Sequence, residues 1–133
     1  MSITQTGIDG EKMARIFIKE NYSYDTLFQA DWLLKIDGGW GGWIVVEVKR
    51  KAPFAPPPFW GTGLNISQVK SRLKFYHDTG IRCLLLYFNT KDGKVYANWL
   101  DVLEEGQKYD TKNGIRIYPL DNFKCLGDAP RPK

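Results

Sequence analysis

The amino-acid sequence predicts an α/β sandwich, in which a central mixed β-sheet is flanked by helices. Three observations lead to this fold class. The chain has 133 residues with a hydrophobic fraction of 43%, which is enough for one globular domain with a core of its own. Its segments follow the order helix, β-hairpin, helix, strand, strand. One of these strands is continuously apolar, as expected inside a sheet. We therefore treat residues 1–133 as a single domain.

The first predicted element is a helix in "TGIDGEKMARIFIKENY", residues 6–22. Thr6 or Asp9 is suited to cap its start. An approximate apolar stripe at helical spacing predicts the side of the helix that faces the core. The stripe consists of Ile8, Met13, Ile16 and Phe17.

A β-hairpin follows. "QADWLLKI" (29–36) and "WIVVEVKRK" (43–51) both have the apolar, β-branched character of strands. They are joined by "DGGWGG" (37–42), whose glycines allow the positive φ angles of a chain reversal.

The next two segments are a loop and a helix. "APFAPPPFWGTG" (52–63) contains four prolines and two glycines, which predicts irregular structure. "NISQVKSRLKFYHDTG" (65–80) returns to helical spacing and places Gly80 where a C-terminal cap belongs.

The C-terminal third predicts three strands. "IRCLLLYF" (81–88) is apolar throughout and is expected to be buried on both faces. After the turn "NTKDG" (89–93), "KVYANWLDVL" (94–103) is a second strand. "GIRIYPL" (114–120) is expected at the edge of a sheet, because proline has no backbone N–H to donate to a neighbouring strand.

Composition restricts the classes of function. The net charge is +4 and the sequence pI is about 9.0, so a polyanion such as nucleic acid is a suitable partner if the positive residues cluster. No apolar run is long enough to cross a membrane. The N-terminus lacks the pattern of a signal peptide, so we expect a cytoplasmic protein whose Cys83 and Cys125 are free thiols. Without a CxxC pair and with His77 as the only histidine, a zinc site is not expected.

The hairpin brings together residues that suit metal-dependent chemistry. Antiparallel pairing about the glycine turn sets positions near 31 opposite 49, and positions near 33 opposite 47. Asp31, Glu47 and Lys49 then share one face. Two adjacent carboxylates repel, and an oxygen-ligated cation such as Mg²⁺ relieves that repulsion. Lys49 is placed to orient a water near the metal. The alternative is a solvated pair of Glu47 and Lys49 at a sheet edge, with Asp31 in a turn.

These residues carry a family resemblance. "ADWLL…IVVEVK" resembles the D-x(n)-E-x-K core of the PD-(D/E)XK nuclease superfamily, with Ala30 in place of the proline. The layout from roughly Gly7 to Leu126 is similar to that of archaeal-type Holliday junction resolvases. The resemblance implies a restriction-endonuclease-like core and a homodimer. It also implies hydrolysis of phosphodiesters in four-way DNA junctions with Mg²⁺, for which Mn²⁺ would substitute.

The resemblance also implies roles for individual residues. The metal ligands would be Asp31, Glu47, Val48 and Glu11. Lys49 and Gln68 would join these carboxylates in the catalytic set. The charge pattern itself, rather than the resemblance, suggests a basic rim that would contact DNA phosphates through Arg50, Lys51, Lys70 and Arg72; the alternative is an ordinary solvated face. Two of these residues have simpler interpretations, since Glu11 can pair with Arg15 one helical turn away and Gln68 can be solvated.

Other functions remain open. The chain could be a different PD-(D/E)XK nuclease, of restriction type or from phage recombination. It could also be a non-catalytic nucleic-acid-binding module with the same fold. Trp40, Phe59 and Trp60 could stack on bases or lie in a dimer contact, and His77 is expected on a helix surface.

Overall fold

The predicted N-terminal helix is present in the computed structural model, which describes residues 12–14, 16–22, 30–35 and 42–130. Residues 12–14 and 16–21 are helical and form α1. The described side chains of α1 are all exposed, and Met13, Ile16 and Phe17 are each more than half exposed. The described part of the stripe, Met13, Ile16 and Phe17, therefore does not pack on the described core. Thr6 and Asp9, the candidate caps, lie outside the described residues.

Two further helices and eight strands make up the rest of the described chain. The helices are α2 (Ile66–Thr79) and α3 (Leu100–Glu105), and a 3-10 turn spans Leu120–Asn122. The strands are β1 (Trp32–Lys35), β2 (Trp43–Lys51), β3 (Gly61–Asn65), β4 (Arg82–Asn89), β5 (Lys94–Trp99), β6 (Tyr109–Asp110), β7 (Ile115–Pro119) and β8 (Lys124–Asp128).

The larger sheet has five strands in the order β1-β2-β4-β5-β8. β2 and β4 run parallel, whereas the other neighbours pair antiparallel. The parallel pair needs a long crossover, which α2 and the loop before it provide. An α/β fold with a mixed sheet and flanking helices is thereby confirmed, and so is the β1–β2 hairpin.

A second sheet of three strands, in the order β3-β7-β6, was not expected from the sequence. β3 begins inside "GTG", which was predicted to be irregular. Its glycines serve close backbone approach, because a Cβ on Gly63 would lie 1.7 Å from the Arg116 carbonyl oxygen in β7. "GIRIYPL" does form the strand β7, but β7 is the middle strand of this sheet and not an edge.

Two other strand predictions need correction. Burial alternates along β4: Cys83, Leu85 and Tyr87 are buried, whereas the residues between them are half-buried. The strand is thus covered by helices on one face only in the described chain. "KVYANWLDVL" is a strand only as far as Trp99, and α3 begins at the next residue. One edge of the large sheet is β8, whose sequence was not predicted to be a strand, and the other edge is β1.

The described core lies between the large sheet, α2, α3 and the second sheet. α2 starts after Asn65 and ends at Gly80, whose φ of 79° is the left-handed cap that glycine adopts most easily. The core contains Val45, Leu64, Val69, Cys83, Leu85, Leu100, Leu103, Tyr118 and Phe123. Since Val45 belongs to it, this core also sets which face of β2 is covered by α2. In the described part of the chain, none of the helices has the length and apolar character needed to cross a membrane.

Candidate functional site

The pairing of β1 with β2 places Asp31 beside Glu47. Leu33 lies opposite Val45 and Trp32 opposite Val46, a register two residues from the expected one. Asp31, just before β1, therefore falls level with Glu47. Its Oδ2 accepts a hydrogen bond of 2.9 Å from the backbone N–H of Val48. This bond holds the Asp31 carboxylate against β2, at the residue just before β1 begins.

Glu47 is buried, with 2% of its surface exposed, although it is an ionisable residue on a strand. Its Oε1 accepts a hydrogen bond of 2.6 Å from Nε of Arg72, which is itself buried in α2. A buried carboxylate requires such a partner, because an isolated charge in a low-dielectric interior is very costly. The ion pair joins β2 to α2 across the covered face of the sheet.

The pKa of Glu47 is raised above its ordinary value. Burial is the largest cause, and it outweighs the hydrogen bond and positive charge of Arg72, which act in the opposite direction. The Asp31 carboxyl adds to the increase, both by its charge and by a hydrogen bond. The Asp31 carboxyl is therefore close enough to disfavour ionisation of Glu47. Such a pair attracts a cation or a proton.

The three basic residues that follow Glu47 in β2 divide between the two faces of the sheet. Successive side chains of a strand alternate, so Lys49 and Lys51 share the face of Glu47. Lys49 is half-buried and Lys51 is exposed. Arg50 lies on the opposite face, where it lines an open groove of about 690 Å³ together with Val48 and Phe88.

The donor atoms at this site are of the chemical type that an oxygen-ligated divalent cation takes. Asp31 and Glu47 supply carboxylate oxygens. The carbonyl of Val48 points to the same side of β2 as its N–H, and that side carries Asp31. Mg²⁺ prefers such ligands and retains waters beside them. Among the described residues, no three His, Cys, Asp or Glu side chains are grouped closely enough to hold a metal. Glu11, the third predicted carboxylate, lies outside the described residues.

Gln68 is placed at the start of α2, one helical turn before Arg72 on the same side of the helix. Its Oε1 accepts a hydrogen bond of 3.3 Å from the backbone N–H of Asn65, which caps the helix. In the described part of the chain, the side chain of Gln68 makes no hydrogen bond to Asp31 or Glu47. Its observed role is therefore at the helix cap.

Arg72 was predicted to belong to an exposed basic rim, and this prediction is wrong. The side chain is buried because it neutralises Glu47. Lys70 and Arg72 are two residues apart, and residues at that spacing do not share a face of a helix. Arg72 instead follows the buried Val69 by three residues, so it lies on the same inward side of α2 as Val69. That spacing is the signal in the sequence that could have identified it as an inward-facing cation.

The other predicted phosphate contacts are exposed. Arg50, Lys51 and Lys70 are accessible to solvent, as such a role requires. Lys70 lies near Asp110, where its positive charge contributes to a lowered pKa of that carboxyl after the larger effect of Arg116.

His77 is on the surface of α2, with 88% of its side chain exposed, as expected. Both cysteines are free thiols, also as expected.

Comparison with protein-family models, curated proteins and solved structures finds no match for this chain.

Proposed function

We propose that this protein is a Mg²⁺-dependent endodeoxyribonuclease of the PD-(D/E)XK type with a restriction-endonuclease-like core, which cuts branched DNA as a homodimer. Four-way junctions are the proposed substrate and the cytoplasm the proposed location. Mn²⁺ is expected to substitute for Mg²⁺, because it accepts the same oxygen ligands.

One observation carries the proposal. The β1–β2 hairpin brings Asp31 level with a buried Glu47 and fixes it on the Val48 N–H. Lys49 follows on the same face of the strand. Two acids and a lysine are thus grouped beside the start of β1. The raised pKa of the buried Glu47 reflects its burial and the neighbouring carboxyl group. This grouping is what supports hydrolysis of a phosphodiester.

The residues of the site have distinct tasks in this proposal. Asp31, Glu47 and the Val48 carbonyl would hold the cation, with Arg72 keeping the Glu47 carboxylate in one orientation. A bound divalent cation would supply Lewis-acid stabilisation of the charge that develops on the phosphate. Lys49 would direct its ammonium at the attacking water or at that charge. Burial of Glu47 on the α2 side limits the approach of solvent from that face.

The homodimer is supported by the exposed side chains of β1. This strand is an edge of the large sheet, and its residues Trp32, Leu33 and Leu34 are all exposed and apolar. Such an edge is prone to pair with another chain unless it is covered. A dimer with two-fold symmetry would present one site to each of two strands in a junction.

A second candidate is a nucleic-acid-binding module without catalytic activity. The Glu47–Arg72 ion pair favours it, because a carboxylate that is already neutralised can serve as a structural link between β2 and α2. Loss of metal binding would then leave the fold and the exposed lysines unchanged.

Incubation with a labelled four-way junction and with a linear duplex of the same sequence tests the proposal. We expect cuts in the junction with Mg²⁺, none with EDTA, and much slower cleavage of the duplex. Equal cleavage of both substrates would indicate another type of PD-(D/E)XK nuclease. Binding to either DNA without cleavage in Mg²⁺ or Mn²⁺ would establish the non-catalytic module.

A further inference from the structure

Two lysines and two aromatic rings lie together at the end of the large sheet where the parallel strands β2 and β4 terminate. The Nζ of Lys91 is 4.1 Å from the ring centroid of Trp60. The Nζ of Lys51 is 4.2 Å from the ring centroid of Phe54. We call these four residues the aromatic–lysine platform. Carboxyl ends of parallel strands are a frequent location for ligand binding in α/β folds.

The backbone that carries the platform is held at several points. Phe54 and Gly61 exchange two backbone hydrogen bonds, of 2.8 and 3.1 Å. The carbonyl of Trp60 accepts a hydrogen bond from the Leu120 N–H. The carbonyl of Lys51 accepts hydrogen bonds from the Thr90 N–H and from the Tyr87 hydroxyl. Because the loop is fixed before a ligand arrives, little conformational entropy is lost when the rings are covered.

The indole of Trp60 remains accessible despite this rigid support, since 44% of the residue is exposed. A ring recruited for stability alone would be buried more completely, because an exposed cation–π pair contributes only about 0.5–1 kcal/mol. Among the described residues, no carboxylate forms an ion pair with Lys51 or Lys91. The platform therefore offers an exposed flat ring beside two positive charges.

We propose that the aromatic–lysine platform binds an unpaired segment of DNA, with one base stacked on Trp60 and the adjacent phosphates contacting Lys51 and Lys91. Lys91 is exposed, so its ammonium can leave the ring for a phosphate as the base arrives. A single strand satisfies both features at once, because every base has a π-face and every linkage has a charge.

The position of the platform relates it to the candidate active site. Lys51 follows Glu47 by four residues on the same face of β2, which corresponds to about 13 Å along a strand. A DNA strand bound at the platform would extend toward Asp31 and Glu47. The inference thus rests on the proposed action on DNA, and it assigns the platform to the unpaired nucleotides beside a branch point.

Anisotropy of a fluorescein-labelled dT12 strand in EDTA tests the platform without cleavage. Trp60→Leu should weaken binding by about tenfold or more, given the usual contribution of one stacked base. Trp60→Tyr should restore most of the affinity, because it retains an aromatic face. Trp43→Leu is the matched control, since Trp43 is 50% exposed but lies at the opposite end of β2. Lys91→Gln should also weaken binding, whereas the exposed Lys112→Gln should not.

The results separate the platform from the nuclease proposal. Equal dT12 affinity in Trp60→Leu and wild type, or no binding by the wild type, would overturn the platform even if junctions are cleaved with Mg²⁺. A change in oligomeric mass in Trp60→Leu with unchanged dT12 affinity would identify a protein contact instead, and would also overturn it. Stacking on Trp60 in a protein that cuts no DNA would uphold the platform and refute the nuclease. Circular dichroism of each variant shows that it is folded.

Discussion

Glu47 is the residue in which stability and the proposed function conflict. Its carboxylate is buried and its pKa is raised mainly by that burial. The ion pair with Arg72 offsets the cost of desolvation, but an apolar pair of similar volume would commonly be at least as stable. Stability alone therefore does not account for a buried Glu47–Arg72 pair. A requirement for a carboxylate at this position, as in the proposed function, would account for it.

At the residue scale, removing either carboxylate charge should abolish cleavage. Asp31→Asn and Glu47→Gln are expected to reduce the Mg²⁺-dependent rate on a four-way junction to the background seen with EDTA. The physical reason is loss of the anionic oxygen ligands that Mg²⁺ prefers. Rates are measured in single turnover, and binding of the junction is measured in EDTA.

The two variants should differ in stability. Asp31 is exposed, so Asp31→Asn should unfold near the wild-type midpoint in urea. Glu47→Gln removes the carboxylate that pairs with the buried Arg72 and should destabilise the fold, by up to roughly 3–5 kcal/mol. Asp101→Asn is the control, because it removes a paired carboxylate outside the site. Near-normal cleavage by folded Asp31→Asn would remove Asp31 from the catalytic set.

Lys49→Met should slow cleavage while preserving metal binding. Methionine keeps much of the apolar stem and removes the ammonium, whose fixed charge would be worth about 10²- to 10³-fold in rate. Calorimetric titration with Mn²⁺ measures metal affinity, and Lys94→Met on an exposed position of β5 is the control. If Lys49→Met lost Mn²⁺ binding, and this loss explained the whole decrease in rate, Lys49 would have a structural role.

The two thiols should differ sharply in reactivity. Burial raises the pKa of Cys83 to about 12 from a usual 9.0, and the residue is inaccessible, whereas Cys125 is exposed. Iodoacetamide at pH 8 should therefore label Cys125 alone in the native protein and both residues in urea. The folded state retains the Cys83 proton at a pH where the unfolded state loses it. The stabilisation that protonated Cys83 gives the folded state is therefore complete below pH 9 and decreases as the pH rises toward 12. Native labelling that persists in Cys125→Ser would contradict the burial of Cys83.

At the scale of elements, β3 shows how backbone contact and side-chain polarity act separately on one strand. Gly63→Ala should be strongly destabilising, because its Cβ would overlap the Arg116 carbonyl in β7. Thr62→Val should be neutral or stabilising by about 1 kcal/mol, because the buried Thr62 hydroxyl has no hydrogen-bond partner in the described chain. Urea unfolding of both variants measures the difference. A Thr62→Val variant less stable than Gly63→Ala would refute this account.

The β1–β2 hairpin determines the site through its register. A shift of β1 by one residue would reverse the face of every one of its side chains, and Asp31 would no longer lie level with Glu47. The observed alignment is reinforced by the bond from Val48 N–H to Asp31. One contact thus serves the strand pairing and the candidate site.

At the scale of the whole molecule, we expect a dimer that makes paired cuts. Light scattering at micromolar concentration should give twice the chain mass. A cruciform plasmid should be linearised within one binding event, since each protomer contributes one site. Leu34→Glu, at an exposed position of the edge strand β1, should yield monomers that only nick the plasmid.

Leu126→Glu is the control for this test, because Leu126 is also exposed but lies in β8 at the opposite edge of the large sheet. It should remain dimeric. A monomeric mass for the wild type, with accumulation of nicked circles only, would exclude a resolvase and leave a simpler nuclease.

Much of the local structure and part of the candidate site could be predicted from patterns in the chain. The glycine turn between two apolar segments predicts the hairpin, and alternation along β2 puts Glu47 and Lys49 on one face. Helical spacing and Gly80 predict α2 and its end. β3 was missed because its glycines resemble loop residues until β7 is known to lie against them. β8 was missed because all five of its residues are exposed and show no alternation.

Periodicity in the sequence is enough to show which side chains share a face of a strand or helix, because these relations depend on the fixed periods of the backbone. Only the packing of the folded chain brings Arg72 against Glu47, 25 residues earlier in the chain, and sets Asp31 two residues from its expected register. These relations depend on the order of strands in the sheet and on the packing of α2 against it. The free energy of a buried charge depends on the partner that packing supplies, so its environment follows only from the folded chain.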